Sequence, residues 1–583
     1  MRTPNCLNPA RVSVSLLLSV GVVVPLAPLV AQTTNPSTNV ALPQNSSAQV
    51  DRYDQVADMR GLDGVVGYGR GASFADIDSD GDDDLFVADT DGRFFGAPYG
   101  MSMIYLNDGS GNFVPGEFNL DAADFNATWV GSFADYDNDG DPDLMVGNGG
   151  YTASSSLVLL ENRIDQRQGF VNVTAAAGFD SADDTVQASP WWGVSWADYD
   201  NDGWLDVMVT RMVGRPLLFH NEGDGVFSEQ GEALGFQDAG HRNAKNPVWI
   251  DYDEDGDQDL YLSGIDWHAF YRNVGDRFED VTQEIFAEPL AGRSGLPAVF
   301  ATATADFDQD GHEDIYLGRW DSQDYILFGD GAGKFERLGS EAGLDTINHV
   351  QLSPTDNNPM GNEGQQARRQ ARLNGPSGEE DAGILPYENT MGLGVGDFYD
   401  DGFPDVVIGT GEPEFAAADI FLCNRGQRRF ERCTDQFIDP ASDHTMTRGH
   451  GAIFADVDRD GFTDFYFNLG GHPNYDFARK TESRETNKLF MRQTEATANA
   501  AWLTLSGTSS NRDAIGARIR YGEGDLARYH YMRSTQGFQS QNSMTLVLQL
   551  GDRESVPVII DWPSGATTEL TVATGEHRNV VEQ

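Results

Sequence analysis

Alternating apolar residues run seven times into an aspartate-rich segment of the form D-x-D-x-D-G-x-x-D and then into a second apolar run. The runs that follow the segments are DLFVA, DLMVG, DVMVT, DLYLS, DIYLG, DVVIG and DFYFN. They are short and rich in β-branched or aromatic residues, which predicts strands. Beyond them an Asn-Gly-rich turn followed by Phe recurs, as in YLNDGSGNF (105–113), FHNEGDGVF (219–227), YRNVGDRF (271–278), LFGDGAGKF (327–335) and LCNRGQRRF (422–430). Such turns between β-rich runs predict hairpins. Each repeat therefore supplies about four short strands: one before the aspartate segment, one after it, and a hairpin.

The aspartate segments begin at Asp76, Asp135, Asp198, Asp251, Asp306, Asp397 and Asp456, with spacings of 59, 63, 53, 55, 91 and 59 residues. A period of this size marks stacked or radial repeats of one supersecondary unit, and four-stranded units repeated radially are propeller blades. The segment YDQVADMRGLDG (53–64) matches the closing strands FVNVTAAAGF (170–179) and FEDVT (278–282), yet it precedes the first repeat. The last repeat ends at NKLFMRQ (487–493) and lacks such a strand. An N-terminal strand completing the last blade would close the ring and leave no open edge. The expected fold is all-β, a seven-bladed propeller over residues 50–497. Strand patterns in WLTLSGTSSNRDAIGARIRY (502–521), TLVLQLGD (545–552) and VPVIIDWPSGATTEL (556–570) predict a small separate β domain over 498–583.

Carboxylates at positions 1, 3, 5 and 9 of one short loop repel one another strongly unless a cation joins them. A hard dication fits: calcium takes six to eight oxygens in flexible geometry, and the glycine at position 6 permits the sharp turn around it. The expected ligands are Asp76, Asp78, Asp80 and Asp84; Asp135, Asp137, Asp139 and Asp143; Asp198, Asp200, Asp202 and Asp206; and Asp251, Asp253, Asp255 and Asp259. The later loops add Asp306, Asp308, Asp310 and Asp314; Asp397, Asp401 and Asp405; and Asp456, Asp458, Asp460 and Asp464. That makes up to seven Ca2+ sites. The Asp397 site is the weakest, because Tyr399 stands at its position 3. An EF-hand is excluded, since it needs a glutamate at position 12 and flanking helices, whereas position 12 of the first loop is Val87 within a strand pattern.

With the loops preceded by FAD (74–76, 133–135, 454–456), the chain resembles the FG-GAP/VCBS repeats of integrin-α-type propellers. Its C-terminal SNRDAIGAR (510–518), GFQSQ (537–541), LGD and DWPSG (561–565) resemble the ASPIC/UnbV domain, and the combination is similar to the cartilage acidic protein family and its bacterial relatives. The resemblance implies extracellular calcium binding and adhesion or interaction. It implies no reaction.

The first 31 residues read as a signal peptide: Arg2 and Arg11 precede an apolar run over 12–24 that is short for a membrane span, and Leu29-Val30-Ala31 suits cleavage. Export with cleavage is expected, a retained anchor being the alternative. Residues 32–49 are Thr/Asn/Ser/Pro-rich and read as a flexible linker. The mature chain then has no transmembrane helix and is periplasmic, cell-surface or secreted. A formal charge of −53 disfavours nucleic acid and anionic membranes as partners. Cys423 and Cys433 flank one hairpin turn and face each other across its strands, so they form a disulfide after export or stay as buried thiols.

The wide fifth spacing holds a polar insertion over 345–390, containing QQARRQAR (365–372), which is either a binding element or a surface loop. His444, Arg448, His450 and His472 gather near the last repeat, as a metal or carboxylate site or as rim residues. Trp191-Trp192 serves either sugar stacking or inter-blade packing. No G-x-S-x-G, H-E-x-x-H or Walker pattern is present. The favoured function is a calcium-binding interaction or adhesion module with a protein or glycan ligand. The alternative is a calcium-dependent propeller enzyme, a glycan lyase or hydrolase, which would gather a basic group, a carboxylate and aromatics in a central pocket.

Overall fold

The computed structural model describes residues 52–583 apart from 63–68, 90–101, 119, 121–123, 126, 150–155, 180–189, 224, 237–243, 265–266, 287–289, 291–298, 321–322, 345–349, 352–383, 386–389, 411–416, 439–445, 448, 470–485 and 493–496. The expected leader and linker, nearly all of the insertion, and His444, Arg448 and His472 therefore lie outside the described residues. Of the insertion, Val350–Gln351 pairs with Ile384–Leu385.

The chain is all-β, built of four-stranded antiparallel sheets of the propeller-blade kind. The first sheet holds Gly69–Ala75, Asp84–Asp89, Met103–Asn107 and Phe113–Pro115, in sequence order from one edge to the other. Sheets starting at Thr128–Ala134, Trp191–Ala197, Ala244–Ile250 and Val299–Ala305 repeat this order. An eight-stranded sheet divides, at one parallel bridge between Leu393 and Gly451, into two further four-stranded runs that start at Gly392–Gly396 and Gly449–Ala455. The aspartate loop joins the first and second strands of every run. The first strands pack side by side in cyclic order, the one at Gly449–Ala455 lying against the one at Gly69–Ala75.

The N-terminal segment behaves as its pattern suggests: Tyr53–Gln55 pairs antiparallel with Lys488–Arg492 and supplies the fourth strand of the last run. One expectation needs refinement. First and second strands such as Trp191–Ala197 and Asp143–Asn148 are buried along their whole length instead of alternating. Neighbouring sheets cover both faces, so both must be apolar. Val130 and Met145 of one sheet, for example, share a cluster with Trp196 and Val207 of the next.

The C-terminal residues form their own sheets, Ala500–Ser506 with Leu546–Gln549 and His577–Val581, and Arg528–Tyr531 with Arg518–Tyr521, Ser555–Asp561 and Thr567–Ala573. They enclose a core around Leu503, Ile519 and Ile560. This part is less separate than its sequence suggests. A tongue, residues 533–543, runs between the first strands and bonds to every one of them. Gln541 brackets Phe133, accepting from its amide at 2.7 Å and donating to its carbonyl at 3.0 Å. Ser534 binds Trp196 and Thr535 binds Val194. Asn246 donates to the Gly537 carbonyl at 2.6 Å, and Gln536 donates to that of Thr304. Asn542 spans Val395 and Phe454, while the Gln541 backbone pairs with Ala72 and Phe74. The tongue's polar side chains thereby satisfy strand-edge groups that would otherwise be buried without partners.

Candidate metal centres

The seven aspartate loops are conformational copies of one another. Position 4 has a left-handed φ in each, between 54° and 59° at Ser79, Asn138, Asn201, Glu254, Gln309, Asp400 and Arg459. The glycine at position 6 has a positive φ as well, for instance 104° at Gly140, which a side chain would strain. The position 1 carboxylate accepts the position 6 amide, as from Gly81 to Asp76 at 3.0 Å, Gly203 to Asp198 at 3.0 Å and Gly461 to Asp456 at 2.8 Å. Asp80, Asp139, Asp202, Asp255, Asp310, Asp401 and Asp460 at position 5 each accept the amide two residues on.

Position 9 has a further structural role. Asp84 accepts the Ile77 amide with one oxygen and the Asn107 amide of the hairpin with the other. Asp206, Asp259, Asp314, Asp405 and Asp464 repeat both contacts, and Asp143 accepts the hairpin amide of Asn162. The third strand is thus pinned to the loop.

Carboxylate oxygens of Asp76, Asp78 and Asp84 lie within 4.8 Å of one another, as do those of Asp135, Asp137 and Asp143, of Asp198, Asp200 and Asp206, and of Asp251, Asp253 and Asp255. These acidic clusters could hold metal ions. Several buried oxygens at ligand positions have no hydrogen-bond partner, among them those of Asp76, Asp78, Asp143, Asp253, Asp308 and Asp458. Burial, reinforced by the neighbouring aspartates, pushes Asp76 up to about 6, Asp198 and Asp251 to about 7, and Asp84 and Asp306 to about 8. Stacking buried negative charge without partners is costly, so the donor set fits a hard dication.

The loops differ in what surrounds them. In the sixth, Asp397 and Asp405 are held well above the usual range by burial, and Asp400 pairs with Arg492. In the fifth, Arg428 donates to Asp308 at 2.5 Å. In the third, His220 lies 3.1 Å from Asp206 and 3.5 Å from Asp200, and its bond to Asp206 raises it to about 9. Sequence reasoning missed these neighbours: His220 comes from the third strand of its own sheet, Arg428 from the next sheet's hairpin turn and Arg492 from the end of the next sheet's third strand. It also missed the hairpin asparagines. Asn162 donates to the Ile77 carbonyl of the preceding loop, Asn221 to Tyr136, Asn273 to Tyr199, Asn424 to Phe307 and Asn107 to Val457. These bonds rivet successive sheets together. The signal was present as the recurring Asn of the turns, which Gly329 replaces in the fifth run and Arg492 in the seventh.

The C-terminal sheets sit on this loop face. Trp502 donates to Asp456 at 2.8 Å, Asp513 accepts the Asp135 amide at 2.9 Å, and Arg528 reaches the Asp401 carbonyl. Cys423 and Cys433 are joined as a disulfide with Cα atoms 5.9 Å apart. Trp191 packs between sheets, while Trp192 and His450 face the ring's centre near the tongue.

Repeated blade-like sheets, each carrying the same acidic loop and capped by a small β domain, define a class. The chain carries FG-GAP-like repeats, matched over residues 76–146, 198–262 and 251–316, and an ASPIC and UnbV domain, matched over 507–583. Among individual proteins it is similar to cartilage acidic protein 1, at 22% identity over 61% of this chain and 50% of the Xenopus tropicalis protein. The human protein matches at 27% identity over 19% of this chain and 16% of its own length. The chain thus spans half the length or less of these curated relatives. Among solved structures it is similar to an Agrocybe aegerita lectin that recognises non-reducing terminal N-acetylglucosamine, at 14% identity over 66% of this chain and 79% of the other, TM-score 0.35. It is also similar to a periplasmic gluconolactonase of Pseudomonas aeruginosa, at 13% identity over 62% and 84%, TM-score 0.35.

Proposed function

We propose that this chain is an exported, calcium-binding, seven-bladed propeller over residues 50–497, capped by the domain at 498–583, that works as an interaction or adhesion module. Its place is the periplasm, the cell surface or the exterior. The observation that carries this reading is the convergence of partnerless, buried carboxylate oxygens in equivalent loops. In this reading positions 1, 3, 5 and 9 of each loop hold one ion, except in the sixth, where Tyr399 leaves only Asp397, Asp401 and Asp405, and the ions fasten the blades. The cyclic order of the first strands supports seven blades. Among the described residues no helix is long and apolar enough to cross a membrane.

The test is metal content by inductively coupled plasma mass spectrometry after dialysis against millimolar calcium or magnesium. Six or more tightly held calcium ions per chain, with magnesium not substituting, is the expected result. A chain that holds fewer than two overturns the reading.

A further inference from the structure

One position recurs in every run: the residue just before the hairpin amide that the ninth loop aspartate accepts. In chain order it is filled by Leu106, Glu161, His220, Arg272, Phe328, Cys423 and Met491. Only the third run brings an imidazole to its loop. His220 stands on the third strand of its sheet, Leu217–Asn221, with the ring of Tyr199 edge-on at 6.0 Å.

The histidine is placed among the loop's ligands. Its Nδ1 lies 3.1 Å from an oxygen of Asp206 and 3.5 Å from one of Asp200, at positions 9 and 3. Donor atoms of Asp200, Asp202 and His220 all lie within 4.8 Å of one another, as do those of Asp198, Asp200 and Asp206. Two ligand atoms about 2.1 Å from one ion stand about 3.0 Å apart at an octahedral angle and about 3.4 Å apart at a tetrahedral one. The ring nitrogen is therefore spaced from its carboxylates as neighbouring ligands are. The side chains of His220 and Asp200 are 15% and 30% exposed, which leaves an ion a path from solvent.

The fold does not need this histidine. Asp206 already has the amides of Tyr199 and Asn221 on its two oxygens, and Asp84 and Asp259 are held by the equivalent amides beside Leu106 and Arg272. What His220 adds is a nitrogen donor. Calcium is a hard ion that takes oxygen, so the ring offers it little. Zinc-class dications take imidazole nitrogen and carboxylate oxygen together.

We infer that the third loop is a transition-metal site, in which a zinc-class dication takes His220 together with the carboxylates of Asp200 and Asp202 and displaces calcium from that loop alone. The inference rests on the reading of the aspartate loops as ion sites and assigns one of them a different ion.

The test uses the full chain in millimolar calcium, titrated calorimetrically with Zn2+ and then assayed for both metals by mass spectrometry after dialysis. The parent takes up one zinc per chain and gives up one calcium. His220→Leu installs the side chain of the first run, and His220→Gln offers oxygen in place of nitrogen. Both bind zinc more than ~100-fold more weakly, beyond the ~10–100-fold that loss of an outer-shell partner costs. Melting in calcium alone shows which variant is folded, and one folded variant suffices for the comparison. A parent that takes up no zinc, or a folded variant that binds it as the parent does, overturns the inference. A loss confined to ~10–100-fold overturns the ligand role of His220, and zinc that replaces calcium in every loop overturns the selectivity. A chain that holds zinc but fewer than two calcium ions overturns the calcium reading alone, whereas calcium held with zinc ignored overturns this one alone.

Discussion

Gly537→Ala probes how far the C-terminal domain and the ring form one structure. Gly537 sits at the tongue's tip with φ +70°, and a Cβ there would lie 1.7 Å from the Leu393 carbonyl oxygen and 2.7 Å from its carbon. Both obstacles are backbone, so no rotamer relieves them and the tip must withdraw. Withdrawal breaks the bond from Asn246, costing about 1 kcal/mol. It also pulls Phe538 from full burial against Phe300, and losing a buried phenylalanine costs about 3–5 kcal/mol. The control is Gly565→Ala, where φ is +83° and nothing lies within 4 Å, so it reports left-handed strain alone at about 1–2 kcal/mol. Gly537→Ala should therefore be destabilised by at least ~3 kcal/mol more than the control, read as a fall in the urea midpoint at constant calcium. Limited proteolysis should release fragments from the 498–583 region only in Gly537→Ala. If the two variants unfold within about 1 kcal/mol of each other, the tongue is not seated between the first strands and the reasoning fails.

Chelation should lower the melting temperature and expose 498–583 to protease together, because those sheets rest on the aspartate loops; each ion at a hundred times its Kd contributes about 2.7 kcal/mol. An unchanged melt in excess chelator would sink structural calcium. Glu582, 4% exposed, accepts from the amides of Thr508, Ser509 and Ser510 and the hydroxyls of Ser510 and Ser564. Burial opposes its charge, but these bonds outweigh it and pull the carboxyl down from 4.5 to about 2. A depressed carboxyl stabilises above its unfolded value and stops doing so as pH falls through its folded one. Glu582→Gln should thus cost about 3 kcal/mol at neutral pH, with the gap to the parent closing between about pH 4.5 and 2 in acid melts; a gap independent of pH refutes it. Replacing Cys423 and Cys433 by serine opens a loop of sequence separation 10 and should cost about 2.5 kcal/mol in non-reducing urea titrations. Equal midpoints would count against that bond.

Much of this architecture is legible in the chain because its determinants are local. The loop at Asp135 is set by its own glycine and carboxylates, and the run DLMVG continues it as a strand whatever lies elsewhere. The strand at Tyr53–Gln55 is legible because it copies the pattern at 278–282 out of place. The tongue is not legible. STQGFQSQNS carries turn-like polar residues, and only the backbone groups of distant first strands give Gln539 and Gln541 their purpose. Lys245 is equally silent in isolation, and Trp192 stands out only as half of the Trp191-Trp192 pair. Neither residue resembles the other, and their shared place emerges only when repeats are aligned on the aspartate loops and the bulge is known.

The pairing of Tyr53–Gln55 with Lys488–Arg492 joins some of the earliest residues of the described chain to the last strand before the C-terminal sheets. Synthesis is vectorial, so Tyr53 waits without its neighbour until more than four hundred further residues have been added. During that wait the first sheet presents an uncovered flank where the last sheet will pack. The Asn107 rivet likewise has no Val457 to hold. Closure therefore waits for the last run, and a chain stopped short of residue 488 lacks the strand that Tyr53–Gln55 pairs with.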